Sequence, residues 1–279
     1  MKLNRKQFMK TSGGLAAASV FSTTLFRSKN SQAAVAKIDL PLGLASYSFR
    51  KFSLEETIDM VNKLGLTHLA LKSMHMPLDA SEAATKVAAK KVHDAGLNLY
   101  GAGVIYMKNE DQVHQAFDYA KAADLKVIIG VPQHELLPLV DKKVKEYDIK
   151  VAIHNHGPGD DLYPSPESIY DKVKEFDQRI GICMDIGHTK RIGIDPAESA
   201  IKYANRLHDV HIKDVSAAQP EGETVEIGRG VIDIPGFLKA LDKIKYDGVL
   251  SLEYEKDAES PMVGSAESVG YLKGILRMM

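Results

Sequence analysis

Lys150-Val151-Ala152-Ile153-His154-Asn155-His156-Gly157 runs apolar for three residues after its lysine and then turns polar, ending on a glycine. Such a run is too short for a helix and has the profile of a strand buried on both faces, with chemistry gathered at its C-terminal end. The segment after the next amphipathic stretch repeats the pattern as Ile180-Gly181-Ile182-Cys183-Met184-Asp185-Ile186-Gly187. Working outward from this pair, further strands are predicted at Leu42–Phe49, His68–Ser73, Asn98–Met107, Lys126–Pro132, Leu207–Val215 and Gly248–Glu255. The stretches between them read as helices. Ser53-Leu54-Glu55-Glu56 opens one with a capping box, Ser81 and Asn109 sit where others begin, and Asp195-Pro196 places proline in a first turn. Gly65 and Gly96 fall where helices should stop.

Strand–helix–strand alternation with no hairpin signal implies parallel pairing through right-handed crossovers. Eight such units in about 243 residues match a closed single-domain α/β fold, the (β/α)8 TIM barrel. A doubly wound open sheet would carry a glycine-rich turn after its first strand, and Ser46-Tyr47-Ser48-Phe49-Arg50 is not one.

Residues 1–36 read as an export signal rather than part of the barrel, which then occupies 37–279. Lys2, Arg5, Lys6 and Lys10 precede an apolar, small-residue run from Gly13 to Phe26, and Ala34-Val35-Ala36 offers a cleavage site before Lys37. Asn4-Arg5-Lys6-Gln7-Phe8-Met9-Lys10 resembles the twin-arginine motif of folded-protein export, with Lys6 in the second arginine's place. The apolar run falls short of the ~20 residues that span a bilayer, so no stable membrane insertion is expected after cleavage, and a periplasmic location is. The whole chain carries a net charge of −1; without the six cations of 1–36 it carries −7, which argues against nucleic acid as a partner. The single cysteine, Cys183, rules out an internal disulfide.

Barrel chemistry gathers at the C-terminal ends of the strands. Side chains alternate faces along a strand, so if Ile153, Met184, Ile212 and Leu252 face the helices, then His154, Asp185, His211 and Glu253 face the barrel axis. A lone inward histidine or aspartate is ordinarily a hydrogen-bonded core residue. Two carboxylates among imidazoles on four adjacent strands are costly to bury without a cation, and the four together form a candidate site for one divalent metal ion. Two imidazoles with two carboxylates suit Mn²⁺, Zn²⁺, Co²⁺ or Fe²⁺. His156 shares a face with His154 and is the alternative ligand from that strand.

The endings Ile153-His154-Asn155-His156, Met184-Asp185-Ile186-Gly187-His188, Val210-His211-Ile212-Lys213-Asp214 and Leu252-Glu253-Tyr254-Glu255 resemble the xylose-isomerase-like barrel superfamily, in particular its sugar phosphate isomerase/epimerase branch. The loop Gly228-Arg229-Gly230-Val231-Ile232-Asp233-Ile234-Pro235 is similar too. The resemblance covers essentially all of 37–279. It implies a divalent ion held by Glu, Asp, His and Glu; Asp185, His211 and Glu253 match, and His154 stands in place of the first glutamate. In the family's epimerases two glutamates act on opposite faces of the substrate. Imidazole titrates near neutrality and can still move a proton, but a symmetrical two-glutamate shuttle is not expected here.

The resemblance thus implies a metal-dependent sugar isomerase or epimerase with a small-molecule carbohydrate substrate. Elimination by a keto-sugar lyase or dehydratase is the alternative, and a non-catalytic sugar-binding protein the rival from another class. A three-zinc DNA-repair endonuclease shares the barrel but needs further late-strand His and Glu. Glu253 or His156 is expected to be the base, with His188 and Lys213 as further catalytic candidates. Lys72, His75, Arg229 and Glu255 are candidates for substrate contact.

Overall fold

The computed structural model describes residues 40–279; segment 1–36, expected from its sequence to be an export signal, lies outside the described residues. Eight parallel strands close into a barrel in the order β1-β10-β7-β6-β5-β4-β3-β2. They are β1 (Leu42–Ala45), β2 (His68–Leu71), β3 (Asn98–Met107), β4 (Val127–Pro132), β5 (Lys150–His154), β6 (Ile180–Asp185), β7 (Leu207–Ile212) and β10 (Leu250–Leu252). Between β7 and β10, two short strands, β8 (Asp214–Val215) and β9 (Thr224–Val225), pair antiparallel. That ribbon departs from the hairpin-free alternation expected of the sequence. The Asp214 carboxylate organises the loop that follows, accepting from the backbone N–H groups of Val215, Gly228, Gly230 and Ile232.

The helices start where local chemistry dictates. In α1 (Leu54–Lys63) the Ser53 side chain accepts from Glu56 N–H while the Glu56 carboxylate accepts from Ser53 N–H at 2.8 Å. Ser81 caps α2 (Glu82–Asp94) and Asn109 caps α3 (Glu110–Ala122). The shell continues with α4 (Leu137–Tyr147), α5 (Pro166–Val173), α6 (Ile186–Arg191), α7 (Pro196–Lys202), α8 (Ile234–Lys243) and α9 (Met262–Met278). Gly65 and Gly96 follow α1 and α2 with φ of +63° and +81°, a conformation glycine adopts without strain.

Several strands end earlier than their apolar patterns predict, two of them where a helical turn begins. The first gives way to a 3-10 turn at Ser46–Phe49. The sixth stops at Asp185, not Gly187, because the Asp185 carboxylate accepts from His188 N–H at 2.7 Å and caps α6. The strand terminus and the helix start are therefore one residue, which fixes that carboxylate at the barrel mouth.

The strands alternate as a buried parallel sheet requires. Ile153, Met184, Ile212 and Leu252 pack outward into the core between strands and helices. Ala70, Tyr100, Val127, Ile129, Ala152, Cys183 and Val249 fill the barrel interior. One step farther along the inward face lie the polar residues of the mouth.

Candidate metal centre

His154 is the last residue of β5, Asp185 the last of β6, His211 the penultimate residue of β7, and Glu253 directly follows β10. Pairing aligns them: His154 lies opposite Cys183, Asp185 opposite His211, and Leu252 opposite Ile212. Each offers one ligand atom, and these atoms all lie within 4.8 Å of one another. All four residues are buried. His154 Nε2 stands 3.1 Å from His211 Nδ1, 3.5 Å from Asp185 Oδ2 and 3.9 Å from Glu253 Oε2. His211 Nδ1 is 3.1 Å from Glu253 Oε2.

Without an ion, electrostatics keep His154, Asp185 and Glu253 in ligand form and favour a proton on His211, which an ion would have to displace. Burial drives the His154 imidazole down to about 3, so it is neutral at pH 7. Burial alone would raise the carboxyls of Asp185 and Glu253, but it is outweighed, by His188 and Lys213 for Asp185 and by Lys213 and His211 for Glu253, and both stay ionised. Burial likewise opposes a charge on His211, yet Glu253 beside it raises that imidazole above its ordinary value. Two neutral-capable imidazoles and two carboxylates, converging and desolvated, fit a divalent ion of the borderline class.

Cys183 creates a second, overlapping group with His154 and His211. Both histidines would be shared, so only one of the two groups can hold an ion at a time. The four-residue group carries two carboxylates against one thiol, and the Cys183 thiol, pushed well above its ordinary value by burial, stays protonated. Charge therefore favours the group at the mouth.

Lys213 follows β7 and is buried among three carboxylates. Its Nζ lies 2.8 Å from Asp185 Oδ2, 2.8 Å from Glu253 Oε2 and 2.7 Å from Glu255 Oε1. Burial would lower it, but these charges hold the ammonium well above its usual value. Glu255 is thus tied to the centre through Lys213. His188 lies on the rim, with its ring 6.0 Å from that of His154 and its Nδ1 buried without a hydrogen-bond partner. Lys72 leans over the mouth: its Nζ donates to Val104 O at 2.8 Å and sits 6.0 Å from the rings of both Tyr47 and Tyr106. Burial lowers its ammonium.

His156, the alternative ligand on β5, is not in the four-residue group. Its ring lies 4.6 Å from the His154 ring, stacks on Tyr106, and its Nε2 is 3.1 Å from Tyr106 Oη. Its Nδ1 is 3.2 Å from Asp160 Oδ2, close enough for an ion pair but out of line for a hydrogen bond. Burial lowers its imidazole, favouring the neutral form.

Two expected substrate contacts have polar atoms engaged within the chain. His75 is buried with both ring nitrogens engaged, Nδ1 by Ser46 Oγ at 2.9 Å and Nε2 by Thr57 Oγ1 and Phe52 O at 3.1 Å each. It ties the first two strand ends together and has no polar atom left for a ligand. Arg229 turns to α9, where its guanidinium makes a forked pair with Glu267, at 2.5 Å from Nε and 2.7 Å from Nη2. The same forked geometry that suits a substrate carboxylate is satisfied within the chain.

Two supporting residues escape the sequence reading. Asn155 accepts from Asp185 N–H at 3.0 Å and donates to Asp185 O and Thr189 Oγ1, locking β5 to the turn that carries Asp185. Asp209 lies beneath His211 on the same inward face, and that shared parity was the signal available to find it.

The chain belongs to the xylose isomerase-like TIM barrel family, whose model matches residues 48–275. Among curated relatives, inosose dehydratase of Clostridium perfringens is 26% identical over 204 residues, 65% of this chain and 68% of that protein. Matches to two other curated relatives reach only 40% and 38% of those proteins' own length. Among solved structures, the IolI protein with a bound zinc atom superposes with a TM-score of 0.71 at 16% identity, over 86% of this chain and 99% of its own. An L-ribulose 3-epimerase gives 0.70 at 15% identity, over 86% and 95%. At these identities the structural likenesses establish the fold. No helix among the described residues is long and apolar enough to cross a membrane.

Proposed function

We propose that the protein is a divalent-metal-dependent enzyme that moves a proton at a carbon next to a carbonyl of a carbohydrate, as an isomerase or epimerase does. The observation that carries this reading is the convergence of His154, Asp185, His211 and Glu253, buried at the barrel mouth, with a charged Lys213 beside them. Those four residues would hold a divalent ion, which when bound would supply Lewis-acid polarisation of a substrate carbonyl. Lys213, kept protonated by three carboxylates, is a fixed positive charge for oxygen that gains electron density. Glu253, or His156 in its neutral form, accepts the proton. His188, with its free Nδ1, and Lys72 are placed to orient substrate hydroxyls.

A second reading, elimination by a keto-sugar lyase or dehydratase on the same site, is favoured by one specific observation. His154 replaces a carboxylate on one side, so the two faces of the site carry unlike groups, and inosose dehydratases are among the relatives in sequence. Both reactions begin with loss of the proton next to the carbonyl. Incubating the loaded enzyme with free sugars and 3-keto-sugars in deuterium oxide should give exchange at that carbon, and a chelator should abolish it. Binding with no exchange, insensitive to chelation, is the result that would mark a sugar-binding protein instead. Loss of water or of a glycosidic substituent in the same experiment separates elimination from isomerisation.

Export to the periplasm is also part of the proposal and rests on residues 1–36 alone. A periplasmic product beginning at Lys37, read by N-terminal sequencing, is the expected result; a full-length chain retained in the cytoplasm contradicts it.

A further inference from the structure

Below the centre, the barrel interior holds a second polar layer that the proposed chemistry does not use. Asp209 is fully buried on β7, two residues before His211 and on the same face. Tyr100 Oη donates to its Oδ1 at 3.1 Å and lies 2.6 Å from Ser251 Oγ, while the Cys183 thiol donates to Oδ2 at 3.3 Å. Among the described residues no lysine or arginine pairs with it, and the nearest cation-forming group is His211, whose Nε2 is 3.6 Å from Asp209 Oδ2. Burying a carboxylate with neutral donors alone is unfavourable, so its retention calls for a compensating role.

His211 supplies the other half of the argument. Its Nδ1 faces His154 Nε2 and Glu253 Oε2, each at 3.1 Å, and is the atom directed at the centre. Its Nε2 is buried and has no hydrogen-bond partner. An imidazole that ligates through Nδ1 must carry its proton on Nε2, and Asp209 is the acceptor on that side. The gap of 3.6 Å is slightly longer than a hydrogen bond, and no other hydrogen-bond partner lies on that nitrogen.

We infer that Asp209 is a positioning residue for the metal centre: it serves as hydrogen-bond acceptor for the Nε2–H of His211, fixes the tautomer that leaves Nδ1 free for the ion, and is itself held by Tyr100 and Cys183. The inference rests on the metal-centre reading of the site. Its energetic lever is the one found where a carboxylate stands behind a metal-binding histidine, orienting the ring and raising its basicity.

The test is metal affinity, measured by competition of Zn²⁺ between the metal-free protein and a chromophoric chelator. Asp209→Asn keeps the shape and removes the charge, and should weaken Zn²⁺ binding by about 10–100-fold. A purely structural role would lower the melting temperature of the metal-free protein and leave the dissociation constant unchanged, and that outcome overturns the inference. Tyr100→Phe, which loosens Asp209 without removing it, should weaken binding by a smaller factor. If Asp209→Asn does not fold, unchanged affinity in Tyr100→Phe decides against the inference. His211→Ala separates the two levels of the argument. Its binding Zn²⁺ as the native protein does would defeat the centre itself, whereas its failure to bind, with native affinity in Asp209→Asn, defeats only the role of Asp209.

Discussion

Asp185→Asn is expected to abolish tight metal binding and turnover while leaving the barrel folded. Asparagine caps a helix about as well as aspartate, so the bond from His188 N–H at 2.7 Å survives and α6 keeps its start. What disappears is one of two negative charges facing the ion. Changes behind a metal ligand already cost ~10–100-fold in affinity, and losing a charged ligand should cost more. If the ion contributes several kcal/mol to the chemical step, turnover falls by about three orders of magnitude. Metal analysis, circular dichroism and the exchange assay on one preparation check the three parts together. Native metal content with native activity would remove Asp185 from the centre.

Lys213→Met is expected to have the largest effect on stability. It removes the only Lys or Arg, among the described residues, that pairs with Asp185, Glu253 or Glu255, and leaves Asp185 and Glu253 buried. Breaking a buried charge network from one side costs about 3–5 kcal/mol. For a chain of this size that corresponds to a fall in Tm of roughly 6–20 °C. A divalent ion neutralises two of the same carboxylates, so saturating metal should raise the Tm of the variant by more than it raises that of the native protein. Calorimetry with and without metal checks both statements. A variant as stable as the native protein when metal-free would show that Lys213 is not balancing those charges.

The parts of this molecule that follow a period could be read from sequence. Eight apolar runs separated by amphipathic segments led to the closed barrel, and the period of two along a strand put His154, Asp185, His211 and Glu253 on one inward face. Strand ends were harder, because they depend on single bonds such as the cap that makes Asp185 both a strand terminus and a helix start. Loop residues have no period at all. His75 was expected near a substrate because it follows a strand, and Arg229 because of the family resemblance, yet one is engaged by Ser46, Thr57 and Phe52 and the other by Glu267, partners up to 38 residues away. Lys213 was placed on the correct face, but its role as the shared counter-ion of Asp185, Glu253 and Glu255 depends on strand order, which brings β6 and β10 to either side of β7. Asp209 shared the inward parity and was passed over because a polar residue one layer down has the same pattern as a packing residue.

The account stands on a cation held between the ends of four neighbouring strands. X-ray diffraction from crystals grown with Zn²⁺ or Mn²⁺, with anomalous data at the metal edge, tests that most directly. One strong anomalous peak per chain is predicted, with His154 Nε2, Asp185 Oδ2, His211 Nδ1 and Glu253 Oε2 each about 2.0–2.3 Å from it. A mouth without a peak, or an ion bound elsewhere on the chain, would contradict it.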